Sequence, residues 1–292
     1  MSECISRRRW LAASLAAPWS IPAAASQAGT AGSSPPITAV ALSPDGKSIL
    51  AGSQAGVSIR DADGGEPTGM IACEMDNVHD LQFSPLGDLL AVAGGIPGET
   101  GVVEFFSWPQ PSRQRRIETH DDSIYSIDHA ADGSRWAVAS GDEVCSLYLR
   151  DDDQAAKRFT DHSRAVTAAR FLPDSRTLVT ASRDQTLRVW NSDSGENIRT
   201  LHNHSGDVTA LAVKPSPAAT QKTIGLPIIA SASADLTVRF WQPTIGRMVR
   251  FARVPSQPLC LAWIAGGERL VAGCQDGQAR VIDPLRERAV RR

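Results

Sequence analysis

Three histidines, His120, His162 and His204, stand 42 residues apart, and this interval narrows the possible folds more than any other feature of the chain. A fixed period of roughly 40 to 50 residues marks a repeat architecture, in which each unit is one supersecondary motif. Each histidine is followed four residues later by a β-branched residue, Ile124, Val166 or Val208. Ser140 and Ser182, like Asp142 and Asp184, keep the 42-residue step, whereas Ser182 to Ser233 and Asp184 to Asp235 measure 51. The excess lies in Lys214 to Pro227, a stretch with three prolines and no apolar alternation, which reads as a loop inserted between two strands of one unit.

Within each unit the hydrophobic pattern has period two, with no window of helical periodicity, so the chain is all-β. A short alternating segment (Val166 to Phe171 in the fourth unit) meets a turn such as Leu172-Pro173-Asp174-Ser175, and a small-residue strand follows (Leu178 to Ser182). Proline presets φ at the second turn position and Asp or Gly accepts the conformations after it, so these pairs are hairpins. A third strand and a more polar fourth complete the unit. Four antiparallel strands recurring in this way build a β-propeller, one blade per unit around a central channel. Counting units gives six blades, the last closing with a strand over Arg288 to Arg291. A seven-bladed ring or an open ring completed by a partner are the alternatives, because open edges must be covered or paired.

In the fourth unit Asp161-His162, Ser182, Asp184 and Trp190-Asn191 stand where the WD-repeat family carries its Gly-His, strand serine, turn aspartate and Trp-Asp residues, and the fifth unit does the same with His204, Ser233, Asp235 and Trp241-Gln242. The chain resembles that family over residues 37 to 292, most strongly over 161 to 242. The resemblance implies that His162, Ser182, Asp184 and Trp190, and likewise His204, Ser233, Asp235 and Trp241, form buried hydrogen-bonded tetrads inside their blades. Such a relay stabilises only when every member is present. Unit three keeps His120, Ser140 and Asp142 but has Tyr148 for the tryptophan, and units one, two and six lack the histidine.

The N-terminus has a different character. Ser6-Arg7-Arg8-Arg9-Trp10-Leu11 precedes an alanine-rich stretch ending near Ala25, the basic, apolar and small-residue layout of a signal peptide, with a run that resembles a twin-arginine export address. Residues 1–28 are therefore expected to be a signal peptide and 29–36 a linker, which predicts an exported chain in the periplasm or cell envelope of a bacterium; the alternative is a cytoplasmic protein whose basic N-terminus is not a working signal. Beyond that stretch no apolar run is long enough to span a bilayer. The formal charge of −2, from 30 basic and 32 acidic residues, leaves no basic excess for nucleic acid. Five scattered cysteines suit neither a disulfide scaffold nor a zinc site, and whether Cys260 and Cys274 bridge stays open. Asp151-Asp152-Asp153 reads as a solvated turn, since the spaced glycine and distal glutamate of a calcium loop are missing.

Asp184, His162 and Ser182 also contain the residue types of a nucleophilic triad. The same set recurs in other units, whereas an active site is unique, so the structural role is preferred. The expectation is a non-catalytic, monomeric interaction scaffold without metal or cofactor, binding proteins or peptides. The resemblance places the loops before each first strand and those between second and third strands on one rim. Asp122, Arg164, Arg183, Asp207 and Gln275 are the partner-binding candidates there, together with a long loop from Gly94 to Gly101. The rival readings are a propeller hydrolase or lyase working at the channel mouth and a structural domain completed by another chain.

Overall fold

A computed structural model describes residues 35–215, 226–264 and 266–284. They form six antiparallel sheets in chain order, arranged as a six-bladed β-propeller. Blade one is β1 (Ala39–Leu42), β2 (Ser48–Ser53), β3 (Gly56–Asp61) and β4 (Pro67–Ile71). Blade two is β5 (Asn77–Phe83), β6 (Leu89–Ile96), β7 (Thr100–Ser107) and β8 (Arg113–His120). Blade three comprises β9 (Ile124–His129), β10 (Arg135–Ser140), β11 (Cys145–Leu149) and β12 (Ala155–Phe159). Blade four comprises β13 (Val166–Phe171), β14 (Thr177–Ser182), β15 (Leu187–Asn191) and β16 (Asn197–Leu201). Blade five has β17 (Val208–Val213), β18 (Ile229–Ser233), β19 (Thr237–Gln242) and β20 (Arg247–Arg253), and blade six has β21 (Pro258–Trp263), β22 (Leu270–Cys274) and β23 (Ala279–Ile282). The strand expected over Arg288 to Arg291 and the expected signal peptide lie outside the described residues, as does most of the inserted loop.

Local chemistry sets the hairpins. At the β1–β2 turn the Gly46 N–H donates to Ser43 O at 2.8 Å with Gly46 at φ 70°, a left-handed conformation that glycine adopts without a Cβ penalty. Ser43 Oγ in turn donates to Asp45 Oδ1 and accepts the Ser48 N–H, so side chains complete what the backbone leaves unpaired. The Gly94 to Gly101 stretch is a correction to the sequence reading. Pairing of β6 with β7 runs through Gly95↔Gly101 to Ile96↔Thr100, leaving a tight turn and not a long loop. With Gly98 at φ 72°, the hairpin closes two residues beyond its neighbours'.

Period-two alternation gives every blade two faces, and the core lies between blades. The face carrying Ala168, Val179, Ala181, Leu187, Val189 and Leu201 of blade four packs on Val208, Leu211, Ile229 and Trp241 of blade five. The opposite face, with Ala169, Phe171, Leu178 and Trp190, packs on Ala137, Ala139, Cys145 and Leu147 of blade three. We call these the forward and back faces. Forward on back recurs between blades one and two, two and three, and five and six.

Candidate functional site

In blade four the Trp190 indole N–H donates to Thr180 Oγ1 at 2.9 Å, Thr180 Oγ1 lies 2.7 Å from His162 Nε2, and His162 Nδ1 lies 2.7 Å from Asp184 Oδ2. Because the Asp184 carboxylate can only accept, the ring proton sits on Nδ1 facing it, and Nε2 is left to accept the Thr180 hydroxyl proton. Blade five repeats the relay through Trp241, Ser231, His204 and Asp235 at 2.8, 2.7 and 2.8 Å. Burial works to raise the Asp184 carboxyl, but bonds from His162 and Thr186 hold it well below the usual carboxylate range. In Asp235 burial is likewise outweighed, by Thr237 and His204, and the carboxyl falls to about 2. Burial pushes His204 down, against the pull of Asp235.

The relay hydroxyl corrects the sequence expectation, which assigned Ser182 and Ser233. Those serines sit two residues further along the same face, next to the turn. Ser182 Oγ donates to Arg164 O at 2.8 Å and accepts the Asp184 N–H at 3.0 Å, and Ser233 does the same with Gly206 O and Asp235 N–H. They fix the loop and the aspartate's backbone, while Thr180 and Ser231 reach the ring. Both positions carry hydroxyls of equal strand parity, so alternation alone does not separate them. The arrangement also separates Ser182 from His162 Nε2 by an intervening threonine. In blade three His120 Nδ1 keeps Asp142 Oδ2 at 2.8 Å, but the residue equivalent to Thr180 is Val138, and His120 Nε2 is buried with no hydrogen-bond partner among the described residues. Tyr148 fills the tryptophan position by stacking on Trp136 at 4.1 Å and 9°.

The candidate rim residues occupy the loops named for them, with partners of their own. Asp122 Oδ1 accepts the N–H groups of Gly98 and Ser123 at 2.8 and 2.7 Å, tying the β6–β7 turn to blade three. Arg164 donates to Asp207 Oδ1 at 2.9 Å and to Arg183 O at 2.8 Å, so its carboxylate lies in the next blade. The Arg183 guanidinium stands 5.4 Å from the Tyr125 ring centre, and Tyr125 meets His79 edge-on at 5.4 Å. Burial pushes His79 down, opposed by Asp122 and Asp80. Gln275 is exposed in the β22–β23 turn, where its N–H donates to Gln257 O.

An open cavity of about 790 Å³ at the other end of the inner strands is lined by Gln82, Asp128, His129, Arg170, Lys214 and Trp263, among others. Burial pushes Asp128 up to about 6, against Arg170 and the Phe171 N–H. Asp128 accepts Phe171 N–H at 2.7 Å from the neighbouring inner strand, and Arg170 donates to Ser126 Oγ at 2.6 Å and stands 3.7 Å from Asp80. The cluster stitches inner strands together. Cys260 and Cys274 are both free thiols: Cys260 pairs across from Gly273, so Cys274, one residue on, points to the opposite face of the sheet. Among the described residues no group of three or more His, Cys, Asp or Glu is placed to hold a metal ion, and no helix is long and apolar enough to cross a membrane.

The interblade cores define the class as a β-propeller, with a Trp–hydroxyl–His–Asp relay repeated in blades four and five. The family model described as WD domain, G-beta repeat, matches residues 26–59, 154–191 and 195–242. These matches and the relatives together support a WD-repeat propeller. The chain is 24% identical over 237 residues, 74% of its length, to a guanine nucleotide-binding protein subunit beta of Zea mays. It is 24% identical over 58% of its length to the nuclear distribution protein PAC1 of Arthroderma benhamiae. Over 38% of its length it is 30% identical to eukaryotic translation initiation factor 3 subunit I of Neurospora crassa. The matches span 59%, 36% and 29% of those relatives' own lengths.

These relatives overturn the expected bacterial, periplasmic location. They are eukaryotic proteins named for guanine-nucleotide binding, nuclear distribution and translation initiation, and none carries the name of a bacterial periplasmic protein. The export expectation rested on a few arginines ahead of an alanine-rich stretch, a pattern short enough to arise in unrelated chains, in residues outside the described structure.

Proposed function

We propose that the chain is a non-catalytic scaffold whose rim of blade-entry and β2–β3-type loops docks a protein partner. The observation that carries this reading is the continuous set of polar side chains bridging blades two to five on one rim: Asp122 with Gly98, Arg183 over Tyr125, and Arg164 with both Arg183 and Asp207. Rigid interblade cores hold these loops, which is how a propeller presents a binding surface. The relatives' names support membership of a multi-chain assembly, since two of them are called subunits. Arg183, exposed over an aromatic ring, is the strongest anchor, because arginine stacked on an aromatic and facing a partner carboxylate is a recurrent hot spot. Arg164 positions the loop of Arg183 through its carbonyl.

The test is affinity capture with the full chain, wild type against Arg183→Ala and against Arg164→Ala/Arg183→Ala. Loss of one defined partner from both variants, with unchanged thermal unfolding, supports the rim. Retention of every partner by the double variant contradicts it.

A further inference from the structure

Six blades arranged in a ring have six junctions, yet the described residues bury only five interblade cores, and none joins blade six to blade one. Inner strands β1, β5, β9, β13, β17 and β21 pack each on the next, and β21 does not pack in this way on β1. Among the described residues two sheet faces meet no other blade. On the back face of blade one, Val40 is 65% and Leu42 48% exposed, whereas their equivalents in blade four, Ala169 and Phe171, are 0% and 5% exposed. Ile49 on the same face is half-buried, and Arg60 stands where blade four has Trp190. On the forward face of blade six, Cys260 and Ala279 are exposed, and Val271, Gly273 and Val281 are half-buried. Their blade-four counterparts Ala168, Val179, Ala181, Leu187 and Val189 are all buried.

At three of the five packed junctions a side-chain hydroxyl also stitches one inner strand to the next; the equivalent residues in blades two and three are His79 and Tyr125. Thr38 Oγ1 donates to Val78 O, Thr167 Oγ1 to Val208 O at 2.7 Å, and Thr209 Oγ1 to Pro258 O at 2.7 Å, each linking an inner strand to the next blade. The equivalent residue in blade six is Leu259, which has no hydroxyl and is 48% exposed.

From these observations we infer that the gap between blades six and one is a docking site for a single blade-like antiparallel β-sheet supplied by another polypeptide. The orphan faces are one forward face and one back face, the two kinds that meet at every internal junction. One inserted sheet, with its back face on Cys260, Val271 and Val281 and its forward face on Val40, Leu42 and Ile49, continues that interface on both sides. A single sheet carries both of the required faces, so one blade-like insert answers both orphan faces at once. Contacts of this kind, broad and apolar, belong to lasting association. This site is separate from the loop rim, and either reading stands without the other.

Cys260 is a built-in reporter, since thiol labelling follows exposure. The full chain is compared with the same chain extended at its C-terminus by a Gly/Ser linker, a protease site and a second copy of residues 161–202, with maleimide labelling localised to Cys260 by peptide mass spectrometry. The expected result is rapid labelling of the unextended chain at all concentrations and labelling slowed by about tenfold or more in the extended chain. Protection should persist after the linker is cut and disappear when Val40→Asp and Leu42→Asp are introduced into the extended chain; these exposed positions leave the unextended chain's thermal midpoint unchanged. Slow labelling of the unextended chain at every dilution would overturn the inference in favour of cover by the chain's own ends. Protection that grows with concentration would overturn it in favour of a second copy. Labelling unaffected by the added blade would show that the gap does not take a blade.

Discussion

Blades four and five differ from blades one and six in what lies against them. In the central pair both faces meet another blade, the tryptophan position is a buried tryptophan, and the histidine relay is complete. In the terminal pair one face meets a blade and the other meets no blade among the described residues. Arg60 stands at the tryptophan position of blade one, and Asp276, without a histidine, is held by Arg280 at 2.5 and 2.8 Å on the surface. The relay lies on the back face, so it is worth keeping only where a preceding blade excludes water from it. Loss of the tryptophan in blade one, whose back face meets no blade among the described residues, is thus expected, since buried polar groups gain from partners only when desolvated. Blade six packs its back face on blade five and lacks the histidine without that reason.

The largest expected effects contrast equivalent positions. Trp190→Ala should cost about 3–5 kcal/mol in urea unfolding, the usual loss for a buried aromatic, and Arg60→Ala less than about 1 kcal/mol. Comparable costs at the two sites would break the comparison. Within the relay, Thr180→Val strands both the Trp190 N–H and His162 Nε2 and should cost about 1–3 kcal/mol. The converse, Val138→Thr in blade three, offers His120 Nε2 its missing hydroxyl and should add about 1 kcal/mol, read as a raised thermal midpoint; a lowered midpoint would show that Val138 does not occupy the relay position.

Acid should loosen the same blades. His204 binds its proton less readily in the fold than at the ordinary value of 6.5, so stability begins to fall as pH drops through that value. Asp235 moves from 3.8 to about 2 in the fold, so its contribution is present above about 4 and is lost as pH falls toward 2. Unfolding midpoints that stay level from neutral pH down to this range would contradict the relay's protonation state. The smallest effect is expected at the rim, where Arg164→Ala removes a half-exposed ion pair with Asp207 and should change stability by less than about 1 kcal/mol.

Much of this was legible in the residues. The 42-residue interval of His120, His162 and His204 is a property of blade geometry, because each blade needs the same four strands and turns. Trp190 and Trp241 were recognisable because the third strand alternates and only one face can bury an indole. The choice between Thr180 and Ser182 was not legible, since both lie on one strand face and only the reach of the imidazole decides. Nor was the short turn within Gly94 to Gly101, where glycine conformations let strands extend through what reads as loop composition. The partners of Arg164 and Arg183 lie in other blades, 43 and 58 residues away in sequence in Asp207 and Tyr125, and a single-unit reading does not bring them together. The open junction was legible only as a question of closure: Val40 and Leu42 have the same alternation as Ala169 and Phe171, and only the missing neighbour distinguishes them.

The account's central claim is that, among the described residues, the ring is packed through five junctions and unsealed at the sixth. Amide hydrogen exchange of the full chain, resolved by peptide, tests it most directly. Strong protection through β14, β15, β18 and β19, with exchange faster by orders of magnitude in β1 and β21, is the predicted result. Equal protection of all six inner strands would mean a closed ring and would contradict the claim.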